Sequence, residues 1–437
     1  MVDYQARKLA LAAFGKQLKE PETREAIVAA YMADTSFTRE NILYREVHLP
    51  ATLVQNFGAN NIYAQAFDVS PAERQPIGTV AVLLPKNSVG QVSGKSVFSS
   101  FYMGNRTIVK LPRQLSRISP IFEELIMANL PGVSIAPREE SSASFLRRCI
   151  LDPTIDAVVI YGDDRWIDQY KNLARRTGTK VIFEGPGNDP LVVFPDSDLE
   201  SAVDGAIRCG LNNGGQSCSA LERFYIHDSI YEAFSALLVE KLKAVKHGEP
   251  QEEGVTLGPI YSDKVLHKIQ QQIKEAVNGG ANLVLGGDIY RGRTTGMGIV
   301  SPTVLTDCVN EMTVVRDETF GPVFPLVRFG DDLQSLLLQV DDTRYGLNAA
   351  AYGSCPPEFA DYLERSHKNV YYNSTASCPE NGPSRIIDGG YKRSGFVWEW
   401  EGNNFIHREG KRLLLDELSL PLQAVKRISK KETALAV

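Results

Sequence analysis

Cys218 lies in the stretch NNGGQSCSA, residues 212–220, behind Gly214 and Gly215 and between Ser217 and Ser219. A cysteine that attacks a carbonyl needs an open approach to its sulfur and donors for the oxyanion that forms. Glycines permit close backbone approach or unusual torsions, and the small serines leave room beside the thiol. On this stretch alone a buried, inert cysteine remains the alternative. Glu184 stands 34 residues earlier, in FEGPGNDP, directly after the apolar run TKVIF. Ligand sites of parallel sheets lie at the carboxyl ends of strands. A carboxylate desolvated there is raised toward neutrality and can act as a general base. A solvated strand-end charge is the other reading.

Other candidates are set aside. GQVSGKS, residues 90–96, has three residues between Gly90 and the Gly94–Lys95 pair, where a phosphate-binding loop needs four. It reads as a glycine-containing helix start. Cys149, Cys209, Cys218, Cys308, Cys355 and Cys378 form no CxxC pair and the six histidines no HxxxH pair, so neither a disulfide scaffold nor a protein metal site is expected. A net charge of −6 argues against a broad nucleic-acid surface. No apolar run is long enough to cross a bilayer, and the N-terminal LALAAF is a helix segment and not a signal peptide. A reduced, cytoplasmic setting is the expectation.

The elements that must position these residues alternate. Residues 3–75 read as mostly helical. GTVAVLL (78–84), NRTIVK (105–110), GVSIA (132–136), DAVVIY (156–161) and TKVIF (179–183) then read as strands, separated by helix-compatible segments. That alternation predicts βαβ units around a parallel sheet. A second series follows. Ser197 with Glu200 and Ser229 with Glu232 make capping-box patterns ahead of two helices, and LVLGG (283–287), TVLTDC (303–308) and FPLVRF (324–329) read as strands. Two α/β domains sharing a cleft are predicted.

Taken in order, FEGPGNDP, GGQSC (214–218), DETFGPV (317–323) and GGYKRSG (389–395) resemble the aldehyde dehydrogenase superfamily from about residue 76 to 400. The resemblance implies a Rossmann-like cofactor domain, an α/β catalytic domain and a small oligomerisation element. It makes Cys218 the nucleophile and Glu184 the general base. Asn87, in VLLPKNSVG (82–90), becomes the oxyanion donor alongside the Cys218 backbone N–H. Without the resemblance Asn87 would read as a turn residue. Lys110 matches the lysine that reaches the adenosine ribose, Gly162 the glycine facing the pyrophosphate, and Glu318 the ligand of the nicotinamide ribose. Phe320 packs near that ring, and Pro85 joins the cofactor contacts. The implied reaction is NAD(P)-dependent oxidation of an aldehyde to a carboxylic acid through a thioester.

The pattern is broken in four places. Arg113 replaces the glutamate that normally accepts from the adenosine hydroxyls. Beside Lys110 it would favour a 2′-phosphate, so NADP is expected over NAD. Asp163 stands where a serine opens the phosphate-facing helix, and Ile167 replaces a later glycine. A carboxylate there is repulsive to a pyrophosphate unless it caps the helix. GPGN (185–188) is closer to the coenzyme-A-acylating branch, but retention of Glu184 favours hydrolysis. The segment before the first matched strand is also short.

The expected division is a cofactor domain over 1–186, a catalytic domain over 187–405 and an oligomerisation tail over 406–437, with oligomerisation strands around 60–77. A homodimer or homotetramer is implied by the resemblance. Trp398 and Trp400 read as core packing or a subunit interface before substrate contacts. Acyl transfer to coenzyme A, or thioester reduction, is the alternative chemistry. A binding or structural protein on the same scaffold is the alternative of another class.

Overall fold

The computed structural model describes residues 2–58, 74–377 and 387–421. Its first sheet is built on five parallel strands, Thr79–Leu83, Arg106–Lys110, Val133–Ile135, Ala157–Tyr161 and Lys180–Glu184. These are the five runs read from the sequence. Thr79–Leu83 and Lys180–Glu184 are buried at every position, as strands covered on both faces must be. In space the chain starts at Thr79–Leu83, adds Arg106–Lys110 and Val133–Ile135 on one side, then crosses to add Ala157–Tyr161 and Lys180–Glu184 on the other. The reversal opens a crevice at the carboxyl ends of Thr79–Leu83 and Ala157–Tyr161.

Four more strands extend this sheet to nine, through an antiparallel pairing of Gly395–Glu401 with Lys180–Glu184. The hairpin partner Asn404–Leu413 runs through the expected boundary at 405–406. Helices Tyr4–Lys19 and Pro21–Thr35 cover one face, where Leu11, Phe14 and Tyr31 pack with Val80, Val82 and Val109. Phe145, Ile160, Phe183 and Trp398 fill the other face. Trp398 is fully buried there and donates Nε1–H to His407, so it is a packing residue. The stretch 60–77 lies mostly outside the described residues. Its last part, Arg74–Pro76, pairs with Ser419–Pro421 of the same chain.

The second sheet has seven strands in the order Asn369–Tyr372, Asn348–Tyr352, Asp189–Val193, Leu221–His227, Val323–Phe329, Thr303–Cys308 and Asn282–Leu285. All pair in parallel except the last. Helices Leu199–Gly210 and Tyr231–Lys243 cover one face and Asp263–Asn278 the other.

Both expected caps are corrected. Asp198 caps Leu199–Gly210 by accepting from the Ser201 N–H, while the Ser197 hydroxyl donates to Phe194 O. The carboxylate sits one residue closer to the free amides and takes them. Ser229 lies within a 3₁₀ turn, Asp228–Ile230, and the following helix starts at Tyr231. The segment 90–96 is helical, which matches its reading as a glycine-containing helix start.

Candidate active site

Four separate stretches meet between the two sheets. Asn87 lies in the turn after Thr79–Leu83, and Glu184 is the last residue of its strand. Cys218 lies between helix Leu199–Gly210 and strand Leu221–His227. Glu318 and Phe320 sit on the loop before Val323–Phe329. With Pro85 and Gly162 they line one cleft of about 1200 Å³. That is ample for a dinucleotide and a small substrate.

The nucleophile loop is pinned from both sides. Asn87 Nδ2 donates to Gln216 O at 3.2 Å, and Gln216 donates from Nε2 to Pro259 O at 3.0 Å. Cys218 is exposed to the cleft, while Cys149, Cys209 and Cys308 are buried and Cys355 is half-buried. The surrounding protein still pushes the Cys218 thiol up by desolvation, against the positive charges of Lys368, Arg45 and Lys95.

Glu184 is only 6% exposed. It accepts the Gly389 N–H at 2.8 Å and two Arg412 guanidinium contacts at 3.1 and 3.3 Å. Burial raises its carboxyl, and Arg412 opposes that rise.

Residues that the sequence did not single out for this chemistry complete the site. Asp388 accepts from Lys95 Nζ and from Tyr161 Oη, each at 2.9 Å. Burial alone would raise Asp388; Lys95 and Lys368 hold it below the usual range. Lys95 was visible only as part of the false phosphate loop, and Asp388 only as the residue before GGYKRSG. Lys368 lines the cleft, and its ammonium makes no ion pair or hydrogen bond among the described residues. Burial and the nearby Lys95 lower its pKa.

At the other end the residues fit a dinucleotide. Burial pushes Glu318 up to about 7, opposed by Lys268 at 3.9 Å. Phe320 holds a left-handed φ of +61°. The fully enclosed Glu222 carboxylate secures this turn by accepting the Thr319 and Phe320 N–H groups at 2.7 Å each. The feared repulsion at Asp163 is relieved locally. Asp163 accepts from the Arg165 backbone N–H and guanidinium, and Lys264 lies 4.0 Å away. Lys264, Lys268 and Arg165 supply the positive charge that phosphates need at this end of the cleft.

Two expected cofactor contacts do not line the cleft. Lys110 is 1% exposed and donates to Pro137 O and Arg138 O at 3.1 Å each. A buried ammonium takes the nearest unpaired carbonyls. Arg113 is exposed, between Pro112 and Gln114, which both line the cleft.

The sequence profile described as the aldehyde dehydrogenase family matches residues 2–408. The chain is 29% identical over 372 residues to a probable succinate-semialdehyde dehydrogenase (NADP(+)) of Sinorhizobium fredii, covering 82% of this chain and 71% of that protein. It is 29% identical over 280 residues to the NADP(+) succinate-semialdehyde dehydrogenase of Escherichia coli, covering 64% of this chain. That match spans only 57% of the E. coli protein's length, under two thirds of it. The succinate-semialdehyde dehydrogenase of Burkholderia pseudomallei shares the fold with a TM-score of 0.82 at 24% identity, over 96% of this chain and 85% of that one. An NAD-dependent aldehyde dehydrogenase of Sinorhizobium meliloti gives 0.80 at 22%, over 97% and 84%.

Proposed function

The chain belongs to the aldehyde dehydrogenase family, and on that premise we propose that it oxidises an aldehyde to a carboxylic acid with NADP or NAD. The observation that carries this reading is the meeting of Cys218, Asn87 and Glu184 with Glu318 and Phe320 in one cleft. A nicotinamide dinucleotide bound in this cleft would supply the hydride acceptor. Glu318, Phe320, Pro85 and Gly162 would hold it, and Arg113, exposed between cleft-lining Pro112 and Gln114, would reach its adenosine end.

The protein's own residues do the rest. The Cys218 thiolate adds to the carbonyl carbon. The Asn87 amide and the Cys218 N–H hold the oxygen as it becomes negative. The thioester left on Cys218 is opened by water, with Glu184 taking the proton.

The substrate reading is an aldehyde that also carries a carboxylate. Lys368 offers an ammonium in the same cleft as Cys218, close enough to act on its thiol. The Sinorhizobium fredii and Escherichia coli relatives are named for such a semialdehyde. Self-association as a homodimer or homotetramer, and a cytoplasmic location suited to a reduced thiol, belong to the same reading. No helix among the described residues is long and apolar enough to cross a membrane.

The test is an aldehyde panel read at 340 nm with each dinucleotide, without added thiol. Succinate semialdehyde is expected to outrun butanal in kcat/KM and to give free acid. No reduced dinucleotide with any aldehyde would end the proposal.

A further inference from the structure

Arg412 lies four residues past the family-matched segment, which ends at 408. It is 6% exposed, on strand Asn404–Leu413. Its cross-strand partner in register is Asp388, a carboxylate that would ordinarily claim it. Asp388 is instead held by Lys95 and Tyr161. The guanidinium reaches past it to Glu184, with Nη2 at 3.1 Å and Nε at 3.3 Å, and Nη2 also donates to Phe183 O. The glycines of GGYKRSG make that path. A Cβ on Gly395 would lie 3.0 Å from Arg412 Nη2, and one on Gly389 3.2 Å from its Cγ.

We propose that Arg412 is the positioning residue for Glu184: it fixes the carboxylate as an anion at the end of its strand, able to take a proton from water. The proposal rests on Glu184 being the deacylation base. In that step a proton passes from water to Glu184, a C–O bond forms at the thioester carbon, the C–S bond breaks, and the Cys218 thiolate leaves.

The charges around Glu184 leave this task to Arg412. Asp388, on Ile387–Lys392, works against ionisation. Lys368, ahead of Asn369–Tyr372, favours it less than Arg412 does. Lys95 and Tyr161, from the helical segment and strand facing them, sense the Glu184 charge but are bonded to Asp388. Cys218 lies in the same cleft.

The experiment uses the full-length protein without dinucleotide and p-nitrophenyl acetate as an acyl donor. The burst reads acylation of Cys218, and the later steady rate reads deacylation. For Arg412→Gln the acid limb of the steady rate is expected to move up by about one pH unit or more, the range an opposite charge imposes on a carboxyl. Arg412→Lys is expected to restore part of that shift. An unmoved limb in a folded Arg412→Gln protein, judged by circular dichroism, overturns the proposal. Should that variant not fold, difference infrared spectra of wild type against Glu184→Gln read the carboxyl directly. A carboxylate band at pH 7 supports the proposal, and a neutral carboxyl band overturns it.

Glu184→Gln separates the two readings. A full burst with arrested deacylation keeps Glu184 as base, so that an unmoved limb would sink Arg412 alone. Deacylation within about tenfold of wild type would sink the base and its positioning together, because a general base contributes ~10²-fold or more.

Discussion

The side-chain amide of Asn87 donates to the main-chain oxygen of Gln216 at 3.2 Å, two residues before the nucleophile. An amide nitrogen carries two hydrogens. One ties the turn after the first strand to the cysteine loop, and the other is left for a ligand oxygen. Asn87→Ala is therefore expected to lower kcat by ~10²–10³-fold, the usual cost of losing one oxyanion donor. Dinucleotide binding should change much less. A fall in kcat under about tenfold would remove Asn87 from this role.

Among the cysteines of the described residues, Cys218 is expected to be the first alkylated by iodoacetamide. It is exposed to the cleft, while Cys149, Cys209 and Cys308 are buried. Desolvation by the surrounding protein pushes its thiol up, so the alkylation rate should still be climbing above neutral pH. Lys368 is the strongest of the positive charges opposing that rise. Lys368→Met should slow alkylation at pH 8 by several-fold, within the ~10-fold that one pKa unit represents. Peptide mapping showing equal labelling of the other cysteines, or an unchanged rate in Lys368→Met, would contradict this.

The nucleophile was legible because its stretch is local. Two glycines, a glutamine and a cysteine sit together, and all five parallel strands of the first sheet were readable as apolar runs. Among the strands missed were Asp189–Val193, Leu221–His227 and the hairpin of Gly395–Glu401 with Asn404–Leu413. Their charged positions find buried partners that no periodicity reveals. Arg223 donates to Asn188 O and Val340 O, and Lys180 is paired to Glu399 and Glu417. Arg412 and Lys368 were invisible for the same reason. Each reaches Glu184 or Cys218 only through a strand register or a chain crossing, not through sequence spacing. The pattern also placed Lys110 at the cofactor, where the carbonyls of Pro137 and Arg138 have taken its ammonium.

Glu318 sets the direction of a pH effect on dinucleotide binding. Burial pushes its carboxyl up to about 7, so it is ionised above that pH and neutral below. Its capacity to accept from ribose hydroxyls thus fades on acidification. Quenching of tryptophan fluorescence, with Trp166 lining the cleft, should report a Kd that rises between pH 8 and pH 6. The rise is bounded at ~10-fold per pH unit for one proton. Glu318→Gln should flatten the profile; an equally steep profile in that variant would contradict the assignment.

Arg113 tests the choice of dinucleotide. It is exposed, between two cleft-lining neighbours, Pro112 and Gln114. A guanidinium on a 2′-phosphate makes a charge-assisted pair worth ~1.5–3 kcal/mol. Arg113→Glu should therefore lower the NADP-to-NAD ratio of kcat/KM by roughly tenfold or more. An unchanged ratio would disconnect Arg113 from the adenosine end.

The two glycines before Cys218 are not equivalent. Gly214 has φ +68° and Gly215 φ +76°. A side chain at either carries left-handed strain of ~1–3 kcal/mol. At Gly214 a Cβ would lie 3.3 Å from Gln216 Nε2 and 3.4 Å from a Leu257 methyl, groups that can shift. At Gly215 it would fall 2.4 Å from both the carbonyl carbon and oxygen of Gly321. That backbone follows Phe320 on the loop carrying Glu318, so the nucleophile loop and the cofactor loop touch at Gly215. Gly214→Ala should cost stability with modest loss of rate. Gly215→Ala must separate the two loops, so kcat and dinucleotide affinity should fall together, by more than the strain alone predicts. Melting curves and Kd on both variants decide this. Equal effects of the two substitutions would mean that the contact with Gly321 does not couple nucleophile to cofactor.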